Sequence, residues 1–187
     1  YPQGGRAVLK DPRLCILLPA LRPWLESALI PCTVFLPVRH PAEVAQSLWA
    51  AEGVPKSQGL MIWICHIIQA ERYSRGLNRI IVRYEEILDD PEGVLHRCHQ
   101  ALHLGEQFNT PFNKPEASSE LLSFIDPQMR RQKVDAGMPD WCHEETAGRC
   151  YTLAMRIFEA MIEHQSSASK LEPRMDDLWR EWVSLSP

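Results

Sequence analysis

The chain lacks a basic surplus: 20 Lys and Arg stand against 24 Asp and Glu, a formal charge of −4 with histidine neutral. Proteins that grip nucleic acid by its backbone need clustered cation excess, so that class is excluded. Any anion site must rest on a few placed cations. No run approaches the roughly 20 apolar residues of a membrane span, which excludes a spanning helix. No two of the six cysteines (Cys15, Cys32, Cys65, Cys98, Cys142, Cys150) stand at CxxC spacing, which argues against zinc. His99 beside Cys98 and His143 beside Cys142 come nearest to a ligand set. An even cysteine count permits disulfides, but Cys15, Cys32 and Cys65 lie in apolar runs that suit buried thiols of a reducing, cytoplasmic compartment. No GxxxxGK[ST] loop occurs, so the chain does not read as a nucleoside-triphosphate kinase or hydrolase. The first residues hold no initiator Met and no basic-then-apolar leader. They open just before an expected strand, so an upstream segment is expected.

What is present is an ordinary globular chain. Its 187 residues suffice for one domain with a sizeable core. Ala7-Val8-Leu9 predicts a short buried strand, closed by the turn Lys10-Asp11-Pro12-Arg13. Residues 14–29 carry leucines at helical spacing, but Pro19 and Pro23 predict a broken helix. Thr33-Val34-Phe35-Leu36-Pro37-Val38 is apolar on both faces, as a central parallel strand is. His40 then suits an N-cap and Pro41 the first helical position, with Gly53 ending that helix. Residues 57–73 predict a helix with the stripe Leu60, Trp63, Ile64, Ile67, Ile68, and residues 78–84 a third buried strand. Residues 91–102 predict a helix capped by Asp90. Residues 105–115 read as loop, 116–124 as a short helix, and 128–141 as irregular surface. Residues 144–164 predict a long helix, and 175–183 a short last one. Strand–helix alternation over residues 1–102 gives an α/β part with a mostly parallel sheet flanked by helices, and residues 103–187 a mostly helical part of the same domain.

The polar residues stand at strand ends. Lys10 follows the first expected strand, Arg39 the second, and Tyr84 ends the third. In a parallel α/β sheet these carboxyl ends share one edge, where ligands bind. Two cations there, beside a helix N-terminus at Pro41, make an anion site. Ser47, seven residues after His40, stands close to the His40 face of that helix.

The array Lys10-Asp11-Pro12, Arg39 with Ser47, and Arg83-Tyr84-Glu85 before Asp90-Pro91 resembles the PAPS-dependent sulfotransferases, where PAPS is 3′-phosphoadenosine-5′-phosphosulfate. The likeness is to the bacterial and tyrosylprotein members above all, over residues 7–102. It implies a P-loop NTPase-like sulfotransferase fold, N-terminally truncated here. It implies that Arg39 and Ser47 bind the nucleotide's 3′-phosphate and Tyr84 contacts the nucleotide. Lys10 would stabilise charge on the transferring sulfuryl group, as a catalytic residue. A late basic segment in the family closes over the nucleotide, which points to Arg130-Arg131-Gln132-Lys133 and to Arg131 as a further nucleotide contact. PAPS would be the sulfuryl donor, a hydroxyl or amine the acceptor, and no metal is called for.

The chain departs from the family in having no Gly/Ser/Thr-rich 5′-phosphosulfate loop; Gly4-Gly5-Arg6 precedes a strand and opens no helix. Either an upstream half is absent from this sequence, or this is a short relative that binds without catalysing. The second alternative is a non-catalytic interaction module. A bare sheet edge, where the missing strand would pair, would then favour a homo-oligomer. Plainer readings stand beside each residue. Arg13 pairs with Asp11 or a downstream carboxylate, Glu85 and Glu86 form a solvated helix start, His40 caps, His66 is a satisfied interior or boundary histidine within the 57–73 stripe, and His96, His99 and His103 form a polar helix face.

Overall fold

The computed structural model describes residues 7–101, 123, 125, 128, 130, 132–134 and 137–185. Its helices and strands run α1 (Leu14–Ser27), β1 (Thr33–Val38), α2 (Pro41–Glu52), α3 (Lys56–Tyr73), β2 (Asn78–Arg83), α4 (Tyr84–Asp89), α5 (Pro91–Ala101), a 3-10 turn (Asp140–Cys142), α6 (Glu145–Glu163) and α7 (Ala168–Leu185). Among the described residues the sheet is two parallel strands, β1 beside β2, in register from Thr33↔Asn78 to Val38↔Arg83. The expectation of a mixed α/β chain with a parallel sheet flanked by helices therefore holds.

Period-two alternation sorts β2 onto two cores. Ile81 joins the main core, where Leu60, Ile64 and Ile68 of α3 meet Leu153, Ile157 and Met161 of α6 and Leu171, Met175 and Leu178 of α7. Ile80 and Val82 face the other way, onto Val94, Ile87 and Cys98. β1 is covered less evenly. Val38 is wholly buried, while Phe35 is 43% exposed. Pro37 stands in the ladder opposite Val82. A residue without an N–H suits an edge strand, which β1 is among the described residues.

The helices follow local rules. Pro41 opens α2 from the His40 cap position, and Gly53 closes it at φ 70°, a left-handed value natural to glycine. α2 and α3 pack closely at Gly59, where an added Cβ would stand 2.9 Å from the Ala45 Cα. Asp90 caps α5 by accepting from the Gly93 N–H at 3.0 Å. At the amino end of the sheet, Glu71 is buried and accepts from Arg75 (2.9 Å) and Arg79 (3.0 Å). Arg79 also reaches Glu172, and Arg75 reaches Asp176, tying α7 to α3 and β2.

Three expectations need correction. Ala7-Val8-Leu9 is not a strand: Val8 is 93% exposed, and three apolar residues running into a turn find no ladder partner among the described residues. Residues 14–29 do not break at their prolines. Pro19 and Pro23 sit on the exposed side of a continuous α1, where water serves the carbonyls they leave free. The last helix starts at Ala168, not at residue 175, because Ser167 begins it and the exposed Pro173 is tolerated inside. The expected loop at 105–115 and helix at 116–124 fall largely outside the described residues, Ser123 apart. All six cysteines are free thiols. Among the described residues no helix is long and apolar enough to cross a membrane.

Candidate functional site

Parallel pairing brings two strand exits together. Val38 is level with Arg83, so the next residues, Arg39 and Tyr84, emerge side by side at the carboxyl edge. Each strand runs almost directly into a helix, α2 after β1 and α4 after β2. The Arg39 guanidinium carbon lies 4.9 Å from the Tyr84 ring centre, within cation–π range. The Trp63 indole N–H donates to the Arg39 carbonyl at 3.0 Å, fixing the backbone at the exit. Tyr84 is the first residue of α4 and not the last of β2, one position short of the predicted strand end.

Beneath Arg39 lie two buried carboxylates, Glu43 and Glu85. Glu43 stands one helical turn after Arg39 and accepts from its Nε at 3.1 Å. Arg130, 87 residues along the chain from Glu43, donates to the same carboxylate through Nε (3.0 Å) and Nη2 (2.5 Å). Its Nη2 also lies 2.9 Å from Glu85, which in turn accepts from Arg83 Nε at 2.9 Å. Three guanidiniums thus meet two buried carboxylates, with Asp89 a further negative charge near Arg130. A buried unpaired carboxylate would be very costly, so the arginines are what allow Glu43 and Glu85 to stay there. Burial pushes the Glu43 carboxyl up, but the hydrogen bonds from Arg130 and Arg39 outweigh it and hold it below the usual range. The Glu43 bond pushes the Arg130 guanidinium further up.

The arginines are only partly used. The terminal amino groups of Arg39 and Arg83 have no hydrogen-bond partner among the described residues. Arg39 stands two residues before the first residue of α2, whose partial positive N-terminus adds to its charge. His40 adjoins the cluster, with its ring 5.5 Å from that of Phe158 and Nδ1 buried without a hydrogen-bond partner among the described residues. Burial lowers its pKa, against the pull of Glu43 and Glu85 and with the push of Arg130 and Arg83. Chemically, guanidinium amino groups placed this way can donate to an anion with several oxygens.

The structure brings Arg39 and Tyr84 together. Ser47 lies on α2 one turn beyond Glu43, half-buried and without a hydrogen bond among the described residues. Lys10 is not at this edge by way of a strand. It stands on exposed irregular backbone, next to Asp11, which is held low by Arg13 at 2.7 Å. Arg131 lies outside the described residues; its neighbour Arg130 is the one seen in the cluster. Glu85 is not a solvated helix start but 3% exposed. His40 occupies the cap position without making a side-chain cap bond. His66 bonds the Ile62 carbonyl at 2.8 Å, and His96 pairs with Gln100. No metal-binding group of three or more ligands occurs among the described residues.

Sequence reasoning missed Glu43 as a site residue. An acidic residue in a helix's first turn is ordinary dipole chemistry, and the only further signal was its place four residues after Arg39. A separate open cavity of about 420 Å³, lined by Met138, Arg149, Thr152 and Glu181 among others, includes none of the predicted residues. The chain matches no family model, no curated protein and no solved structure.

Proposed function

We propose that this chain binds a 3′-phosphorylated adenosine nucleotide at the Arg39–Tyr84 edge and belongs to a PAPS-dependent sulfotransferase. The observation that carries the reading is the pair of uncommitted guanidinium ends on Arg39 and Arg83, at the carboxyl edge of parallel strands and beside a helix N-terminus. In this reading the two strands are part of a P-loop NTPase-like sulfotransferase fold. Arg39 and Ser47 take the 3′-phosphate, Tyr84 lies against the nucleotide, and Arg130-Arg131 close over it.

The chemistry is sulfuryl transfer from PAPS. An acceptor oxygen or nitrogen forms a bond to sulfur as the bond from sulfur to the nucleotide's 5′-phosphate oxygen breaks. The acceptor gives up its proton. Negative charge grows on the departing phosphate oxygen, and a fixed cation near it lowers the barrier. Lys10 is assigned that role, which requires its exposed segment to fold toward the edge. Charge-assisted bonds from arginine explain a preference for the 3′-phosphate. The free thiols suit a cytoplasmic protein.

The test uses the full-length protein that carries this chain, incubated with PAPS and a panel of hydroxyl and amine acceptors, with products read by mass spectrometry. Sulfated product that disappears in Arg39→Ala supports transfer. If no acceptor is sulfated, the transfer claim fails.

A second reading, a non-catalytic interaction module, is favoured by one observation. Phe35 on β1 and Ile16, Leu17 and Trp24 on α1 are exposed, and β1 pairs on one side only among the described residues. Sizing chromatography that finds a monomer at all concentrations counts against it.

A further inference from the structure

The three arginines do not share their carboxylates evenly. Arg39 gives Glu43 only its Nε, at 3.1 Å. Arg130 gives the same carboxylate both Nε and Nη2, and extends Nη2 to Glu85. Arg83 gives Glu85 only its Nε. Glu43 is 1% exposed, so its geometry is fixed by packing within α2 and cannot follow a mobile cation. An Nε-only bond is a hinge: it sets where the guanidinium plane lies while both terminal amino groups still point elsewhere. Tyr84 covers one face of that plane.

We infer that Glu43 is a positioning residue of the anion site: it holds Arg39 by Nε so that its terminal amino groups meet the phosphate, and it fastens Arg130 beside them. This inference rests on the nucleotide-binding reading and deepens it. Glu85 does the same for Arg83 and shares the Arg130 Nη2 with Glu43. The site therefore works through buried carboxylates that oppose its own ligand electrostatically. Two negative charges are retained near an anion because they fix direction, and bidentate contact to phosphate depends on direction. Arg130, 87 residues along the chain from Glu43, is held by the same carboxylates and so attached to α2.

The sign of one substitution separates positioning from plain charge balance. Removing a negative charge beside an anion site strengthens anion binding if the charge only opposes it. It weakens binding if the charge aims the arginines. Adenosine 3′,5′-bisphosphate is titrated calorimetrically into the whole chain, as wild type, Glu43→Gln and Glu85→Gln. The exchange of arginine Nε–Hε protons is followed by NMR without ligand. The expected result is binding weakened about tenfold in Glu43→Gln, the loss of about one charge-assisted bond, with the AMP affinity little changed. Slow Hε exchange at Arg39 and Arg130 in the wild type should become fast in the variant. Unchanged or tighter bisphosphate binding by a folded Glu43→Gln overturns the inference, as does fast Hε exchange in the wild type. Slow Hε exchange with no bisphosphate binding in the wild type sinks the nucleotide reading while supporting the positioning. Because Glu85 touches Arg83 and Arg130 but not Arg39, Glu85→Gln reports only on their share. If Glu43→Gln does not fold, Glu43→Asp decides, since it keeps the charge but draws the carboxylate back from the Arg39 Nε. Weaker binding there supports the inference, and unchanged or tighter binding overturns it.

Discussion

The Arg39 guanidinium lies over the Tyr84 ring at 4.9 Å because Val38 and Arg83 are level in a parallel ladder. One register fixes both the cation and the aromatic surface beneath it. Replacing Tyr84 by Phe keeps the ring face and should leave bisphosphate affinity within about twofold. Tyr84→Ala removes the face, and a partly exposed cation–π contact is worth about 1 kcal/mol, or about fivefold in affinity. Calorimetry on the two variants checks this, and equal losses would show that the hydroxyl matters instead.

Gly59 sits where α2 and α3 touch, with the Ala45 Cα only 2.9 Å from where a Cβ would stand. Gly59→Ala must push backbone against backbone. Overpacking of this kind costs about 1–3 kcal/mol. The urea midpoint should fall accordingly, and a midpoint equal to or above wild type would mean the helices separate freely.

Glu71 holds the opposite end of the sheet. It is fully buried and meets Arg75 and Arg79, which carry the link onward to α7. Glu71→Ala takes the buried carboxylate from Arg75 and Arg79 and leaves them only the more exposed Asp176 and Glu172, and losing charge-assisted hydrogen bonds of this kind costs about 1.5–3 kcal/mol. Chemical denaturation should find this loss without any change in nucleotide selectivity, since Glu71 lies away from the Arg39 edge.

Acid should destabilise the fold in two steps. His40 has a folded pKa below its ordinary 6.5, chiefly from burial. The unfolded chain therefore takes up that proton first, and the contribution present above pH 6.5 is lost as pH falls through the folded pKa. Glu43 has a folded pKa below 4.5, set by Arg130 and Arg39 against burial, so its contribution is present above 4.5 and lost below. At the alkaline end, burial and the neighbouring Cys150 push Cys142 up to about 11 from 9.0, so stability falls as pH rises from 9 toward 11. Urea midpoints across pH, compared with His40→Asn, should show the upper acid step flattened in the variant. An unchanged step would assign it to another group.

How much of this was legible in the sequence depends on range. Strand β1, the Pro41 start, the Gly53 stop and the long α3 and α6 helices follow from periodicity and from residues with fixed backbone habits, all local signals. The Arg39–Tyr84 pairing was inferable because parallel strands share a carboxyl edge. Ala7-Val8-Leu9 misled, since three apolar residues say nothing about whether a neighbouring strand exists to pair with. α1 misled because whether a proline breaks a helix depends on which face meets water. Arg130 reaches Glu43 across 87 residues, and no spacing rule reports such a contact. Glu85 read as solvent-facing because its burial is decided by that distant arginine.

The central claim is that the Arg39 edge selects a 3′-phosphorylated nucleotide. Thermal unfolding of wild type and Arg39→Ala, titrated with adenosine 3′,5′-bisphosphate or with AMP, tests it most directly. At about 100 times the dissociation constant a ligand stabilises by about 2.7 kcal/mol, a readily measured shift. Stabilisation by the bisphosphate alone, abolished in Arg39→Ala, is the predicted result. No shift with either nucleotide, or equal shifts with both, in the wild type would contradict it.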